Sequence, residues 1–212
     1  MITADLYLNK IDFLKYLPGT DCKECGEPSC STFVKKLKSG SQSPSKCSFL
    51  NDNRMKAFQL ALRSESILPK VPALDLPRPV SSGLIEINSA GESDFILVSG
   101  NSEFTVEVLT AIMAFTLSPF WLLFVDCRGD TVDMAMVYES LKPEKIRATM
   151  EETPLYSGKL RGEVILPGFA SRLKGPLAKQ TGRQVRVGPI CIAELPLFLG
   201  DHWEVPQDID LG

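Results

Sequence analysis

The chain has 212 residues, 44% of them apolar, and a formal net charge of −3. That length allows one mid-sized core, or a small module beside one ordinary domain. The charge lacks the basic surplus of a nucleic-acid binder, so no nucleic-acid partner is expected.

In chain order, Asp5, Lys10 and Asp12 interrupt any apolar run of the signal-peptide type. Residues 11–17 read as a short helix stopped by Pro18 and Gly19. Residues 31–38 carry Phe33, Val34 and Leu37 at helical spacing, and residues 54–63 form a second helical stretch. Residues 68–82 hold Pro69, Pro72, Pro77 and Pro79 and read as an extended linker. Beyond it the pattern changes. Residues 95–98, 121–125, 163–166 and 184–187 read as strands. Residues 104–115, 131–140, 143–152, 169–180 and 192–199 read as helices. Strand–helix alternation with uninterrupted apolar strands argues for a mainly parallel sheet. The most apolar stretch, 111–125, is broken by Ser118 and Pro119 and is too short to span a bilayer. The expectation is a soluble, cytoplasmic chain with no membrane partner. In a reducing compartment its six cysteines are thiols or metal ligands, not disulfides.

Four of those cysteines fall in one segment. Cys22, Cys25 and Cys30 follow C-x2-C-x4-C spacing, and Cys47 comes sixteen residues later. Cys22 and Cys25 can reach one centre across a tight turn that Gly26 and Pro28 suit. Cys30 is placed at a helix start, where free N–H groups favour an anionic cluster. Four thiolates are the usual ligand set of a [4Fe–4S] cluster. Structural zinc is the rival, although zinc sites more often use two C-x2-C pairs. Lys23, Lys35, Lys36, Lys38 and Lys46 cluster nearby, either as a solvated helix face or as charge facing the cluster or an acidic partner. Cys127 and Cys191 stand alone and read as buried small residues.

The resulting map is an α/β chain. A small, mostly helical [4Fe–4S] module covers 1–67, the proline-rich linker 68–82, and a Rossmann-like domain with a mainly parallel sheet 83–212. Residues 17–30 (LPGTDCKECGEPSC) resemble the N-terminal cluster domain of the corrinoid iron–sulfur protein large subunit. That family is also the gamma subunit of the acetyl-CoA decarbonylase/synthase complex. Residues 100–105 (GNSEFT), 124–136 (FVDCRGDTVDMAM), 165–173 (ILPGFASRL), 187–189 (VGP) and 192–199 resemble its C-terminal corrinoid domain. The family carries a TIM barrel between the two modules, and here a short linker takes that place.

The resemblance implies a base-off cobamide contacted by Asn101, Ser102, Thr105, Cys127, Gly129, Thr131, Met134, Gly168, Ala170, Gly188, Pro189 and Ile190. It implies a methyl carrier whose cobalt cycles between Co(I) and methyl-Co(III), reactivated by electrons from the cluster. It also implies a partner, a TIM-barrel methyltransferase or a small-subunit relative. Independently of the family, these loops each follow a predicted strand, where open α/β sheets bind ligands. Ordinary strand–helix turns need the same residues. Neither a G-x-G-x-x-G nor a Walker-type phosphate loop is present. Met134 stands where the family has a threonine beneath cobalt, and is either a soft donor or a gap-filling core residue. Val137 and Tyr138 replace smaller residues beside the corrin, and Ile190 replaces a polar one. Those three substitutions favour the alternative of a cluster-bearing electron-transfer module that docks on a partner without a corrinoid.

Overall fold

In the computed structural model, residues 7–70, 76–152 and 160–207 are described. Two compact units divide the chain. One comprises residues 1–71, 111–117 and 191–212, the other residues 72–110 and 118–190.

The first unit is helical. A 3-10 turn at Phe13–Tyr16 stands where a longer helix is expected from sequence. Helix α1 (Cys30–Lys38) starts at Ser29, whose hydroxyl accepts the Thr32 amide at 3.1 Å. Helix α2 (Asp52–Leu62) starts at Asn51, which accepts the Arg54 amide at 2.8 Å. The short α3 (Ser64–Ile67) comes next. Phe13 and Phe58 pack at 5.6 Å between ring centroids, both fully buried, and Phe33 and Leu60 join them in the core.

The same unit holds the C-terminal stretch, which sequence reading assigns to the α/β domain. Helix α8 (Leu195–Leu199) packs on α2. Asn53 then pins the chain beyond α8. Its Nδ2 donates to the Trp203 and Gly200 carbonyls at 2.7 and 3.2 Å, and its Oδ1 accepts the Val205 amide at 3.3 Å. The reason is apolar demand. Leu195, Leu197, Leu199 and Trp203 are all buried, and α2 supplies the surface that covers them.

The second unit is built on a five-stranded sheet in the order β1-β3-β2-β4-β5. Its strands are β1 (Gly83–Ile87), β2 (Ile96–Gly100), β3 (Phe120–Val125), β4 (Val164–Leu166) and β5 (Val185–Val187). Strands β2 to β5 are parallel, with Ile96 opposite both Trp121 and Val164. Strand β1 is antiparallel to β3 and lies outside the strands expected from sequence. Of its five residues only Leu84 is buried, so its apolar signal is weak, as on an edge strand. The proline-rich stretch before it is not free linker where it is described. Pro79 bridges Ser102, the Val80 amide donates to the Asn101 carbonyl at 2.9 Å, and the Glu103 amide donates to the Arg78 carbonyl at 2.8 Å. Residues 71–75 lie outside the described set.

Helix α4 (Glu103–Met113) follows β2, α5 (Val132–Val137) and α6 (Pro143–Glu152) follow β3, and α7 (Lys174–Thr181) follows β4. Helix α5 is shorter than its sequence pattern suggests. Glu139 takes a left-handed backbone (φ 54°), and the Ser140 amide returns to the Ala135 carbonyl at 2.9 Å, closing a Schellman-type end. The expected helix over 169–180 begins as a 3-10 segment, Gly168–Leu173, and becomes α-helical only at Lys174.

Candidate functional site

Two places in the molecule gather the candidate residues. In the first unit, Cys22, Cys25, Cys30 and Cys47 line one pocket, together with Pro18, Lys23 and Phe49. Cys22 is exposed and the other three are half-buried. The Cys47 thiol is pushed up by burial and then by the three other cysteines facing it. The loop that carries them is bent by left-handed residues. Gly19, Asp21, Lys23 and Gly26 all have positive φ, two of them without being glycine. Left-handed residues in such a loop can aim backbone N–H groups at an anionic centre, a device found at many iron–sulfur sites. Among the described residues, no three His, Cys, Asp or Glu side chains converge closely enough for a single metal ion. The four cysteines line one pocket, and four thiolates are the usual ligand set of a [4Fe–4S] cluster.

Cys30 opens α1 as expected, but the free amides expected there are occupied. Its amide donates to Asp21 Oδ1 at 2.7 Å, and the Thr32 amide is taken by Ser29. Both amides are therefore satisfied within the chain, by the Asp21 carboxylate and the Ser29 hydroxyl. Part of the lysine run is also structural. Lys36 pairs with buried Glu27 at 2.8 Å, and Lys38 donates to the Ile11 carbonyl at 2.9 Å while lying over Phe13.

In the second unit, the loops after β2, β3, β4 and β5 leave one end of the sheet, since those strands are parallel. Asn101 is buried at the first of them. Its Nδ2 donates to the Val80 carbonyl at 2.7 Å, and its Oδ1 accepts the Cys127 and Gly129 amides at 2.8 and 3.3 Å. Ser102 is buried against Pro79, and Thr105 is half-buried in α4. Cys127 is fully buried, and burial pushes its thiol up. Gly129 has φ 80°, and a Cβ there would stand 2.4 Å from the Pro79 nitrogen. The Gly168 amide donates to the Pro189 carbonyl at 2.9 Å, and a Cβ on it would stand 2.7 Å from Ile190. The Gly188 amide donates to the Leu166 carbonyl at 2.7 Å. These glycines therefore let the chain approach itself.

The residues that reach solvent are different in kind. Met134, Val137, Tyr138, Phe169 and Ile190 are exposed, with Val137 at 70% and Ile190 at 60%. They belong together. Helix α5 packs on the segment Gly168–Leu173, Arg172 donates to the Met136 carbonyl at 2.6 Å, and Gly168 sits against Ile190. Thr131 precedes α5 with its hydroxyl turned to Asp133, while Ala170 is buried and Pro189 half-buried beneath this surface. Phe169 lies within the 165–173 stretch that carries the resemblance, though it is not among the individual contacts expected from sequence. A bulky aromatic directly after a strand-end glycine was its signal.

The architecture and the cysteine pocket define a class of protein, a mainly parallel α/β unit linked to an iron–sulfur module. A profile for Fe–S cluster segments matches residues 17–49, and the profile of the CO dehydrogenase/acetyl-CoA synthase delta subunit matches residues 70–199. The chain belongs to the CO dehydrogenase/acetyl-CoA synthase delta subunit family, with residues 50–69 lying between the two matched stretches. Curated relatives include the corrinoid/iron–sulfur protein large subunit of Moorella thermoacetica, 33% identical over 54% of this chain and 26% of the relative. Another is the acetyl-CoA decarbonylase/synthase complex subunit gamma of Methanopyrus kandleri, 28% identical over 58% and 27%. A third is subunit gamma 2 from Methanosarcina thermophila, 28% identical over 60% and 28%. The chain spans about a quarter of the length of these relatives. Among the described residues, no helix is long and apolar enough to cross a membrane.

Proposed function

We propose that this chain is a corrinoid and iron–sulfur methyl carrier. Cys22, Cys25, Cys30 and Cys47 would hold a [4Fe–4S] cluster, and the strand-end loops of the second unit would hold a cobamide. One observation carries the reading. Five apolar side chains, Met134, Val137, Tyr138, Phe169 and Ile190, stand exposed on neighbouring segments that follow the strand ends. An apolar surface of this kind marks a ligand or partner face, and a corrin is a broad disc that such a face can meet by van der Waals contact. A bound cobamide would supply a cobalt centre that accepts and releases a methyl group. The chain's own part is to seat the ring on Met134, Phe169 and Ile190, with Asn101 holding the loops beneath in shape. The cluster would supply low-potential electrons for reactivation.

His202 is the sole histidine of the sequence and belongs to the first unit, so the loops offer no imidazole. That favours a base-off, histidine-off cobalt. The upper face would be covered by a second protein, a barrel-shaped methyltransferase or a small-subunit relative. A cytoplasmic location fits low-potential cluster and cobalt chemistry.

The test is anaerobic reconstitution with iron, sulfide and a cobamide, followed by visible and electron paramagnetic resonance spectra. Cluster absorption with added corrinoid bands, and a Co(II) signal free of axial nitrogen splitting, are expected. Nitrogen splitting would remove the base-off assignment. A second reading is an electron-transfer module that docks on a partner without a corrinoid. It draws on Gly129 and Gly168 being closely approached by the chain itself. Cluster bands alone, with all of the cobamide separated from the protein on a desalting column, would select it.

A further inference from the structure

At the opposite end of the sheet from those loops, a cleft of about 440 Å³ opens between α6, the residues leading into β4, and the turn from α7 to β5. Arg147, Arg161 and Arg183 line it, one from each element, over an apolar base of Met150 and Leu160. Glu151 is the one acid among its described lining residues and lies 3.9 Å from Arg147. Three guanidinium charges against one carboxylate leave an excess of two positive charges. Arg161 is fixed at its backbone, where its amide and that of Gly162 both donate to the Glu92 carbonyl. Gly162 is essential to that approach, since a Cβ on it would overlap the Asp94 carbonyl. Arg183 adds the decisive feature. Its Nη1 is buried and has no hydrogen-bond partner. A buried charged donor left unmet is costly, and such a group in a native protein calls for a partner, a water or an ion.

We propose that this cleft binds a small phosphate-bearing anion. Three planar forks arriving from three elements suit the tetrahedral spread of phosphate oxygens better than the single plane of a carboxylate. The cleft is far larger than an inorganic phosphate, and its apolar base gives the body of a phosphate ester somewhere to rest. The cleft lies where β4 begins, and the strand-end loops lie where it ends. The two sites are therefore distinct, and this one stands whether or not a cobamide binds.

The experiment is calorimetric titration of the full chain, purified anaerobically, with inorganic phosphate, pyrophosphate and AMP. At least one should bind at millimolar concentration or below. Arg183→Met should weaken that binding by about tenfold or more, the loss expected for a charge-assisted hydrogen bond. Arg183→Lys, which keeps the charge and loses the fork, should fall between. If Arg183→Met does not fold, Arg161→Met and Arg147→Met, both at exposed positions, carry the same comparison. Tighter binding of AMP than of pyrophosphate and phosphate assigns an ester. Equal affinities assign the phosphoryl group alone. Absence of binding by all three anions, or binding that none of these variants weakens, overturns the proposal.

Discussion

Asn101 illustrates how one side chain can organise a site without touching a ligand. It ties the Arg78–Val80 stretch to the β3 loop by donating to the Val80 carbonyl and accepting the Cys127 and Gly129 amides. Asn101→Ala should cost about 2–4 kcal/mol, because buried donors are left unmet. Urea unfolding of the variant checks it, and a loss below about half a kcal/mol would show that water replaces the side-chain amide. At the same scale, replacing Cys22, Cys25, Cys30 or Cys47 by alanine should each lose or degrade the cluster. Cys127→Ala and Cys191→Ala should leave iron content unchanged, since both thiols are buried away from the cysteine pocket. Iron loss from either would overturn the ligand assignment. Met134→Ala should shift the Co(II)/Co(I) midpoint only if its thioether faces cobalt.

Elements are held by shorter-range chemistry, and α6 gives a pH-dependent case. Glu144 sits in its first turn. Its own backbone amide, followed by a hydrogen bond from Gln180 on α7 at 2.5 Å, holds its carboxyl below the usual range. A depressed folded pKa contributes stability above the unfolded value near 4.5, and that contribution is lost as pH falls through the folded value. Glu144→Gln should therefore be less stable than the parent at about pH 6–7, and the two denaturation midpoints should converge at lower pH. A constant gap down to about pH 3 would assign the loss to packing. Periodicity made α1, α2, α6 and the strands β2 and β3 legible. It overran at α5, where nothing local announced that Glu139 would adopt φ 54°. It also missed β1, whose hydrogen bonds to β3 exist only once a distant strand is in place.

At the scale of the molecule, the two units differ in what stabilises them. The sheet unit has a continuous apolar core that includes Ile96, Leu123, Val164 and Leu177. The cysteine segment has left-handed Asp21 and Lys23, each disfavoured by roughly 1–2 kcal/mol. Cluster binding should therefore be coupled to its folding. Removing iron with a chelator under anaerobic conditions should abolish amide-exchange protection across residues 22–47 while leaving β2, β3 and β4 protected. Equal loss in both regions would show a single cooperative unit.

The sequence by itself determined the candidate ligand cysteines, because metal-binding spacing is local, and the parallel strands, because doubly buried strands must be apolar throughout. Tertiary structure alone decided the rest. It assigned residues 191–207 to the helical unit, because α8 and Trp203 need the apolar face of α2. It showed that the chain closely approaches itself at Gly129 and Gly168. It left Met134, Val137, Tyr138, Phe169 and Ile190 exposed on neighbouring segments, and gathered three arginines into one cleft. Burial and convergence depend on residues far apart in the chain, and no local pattern encodes them.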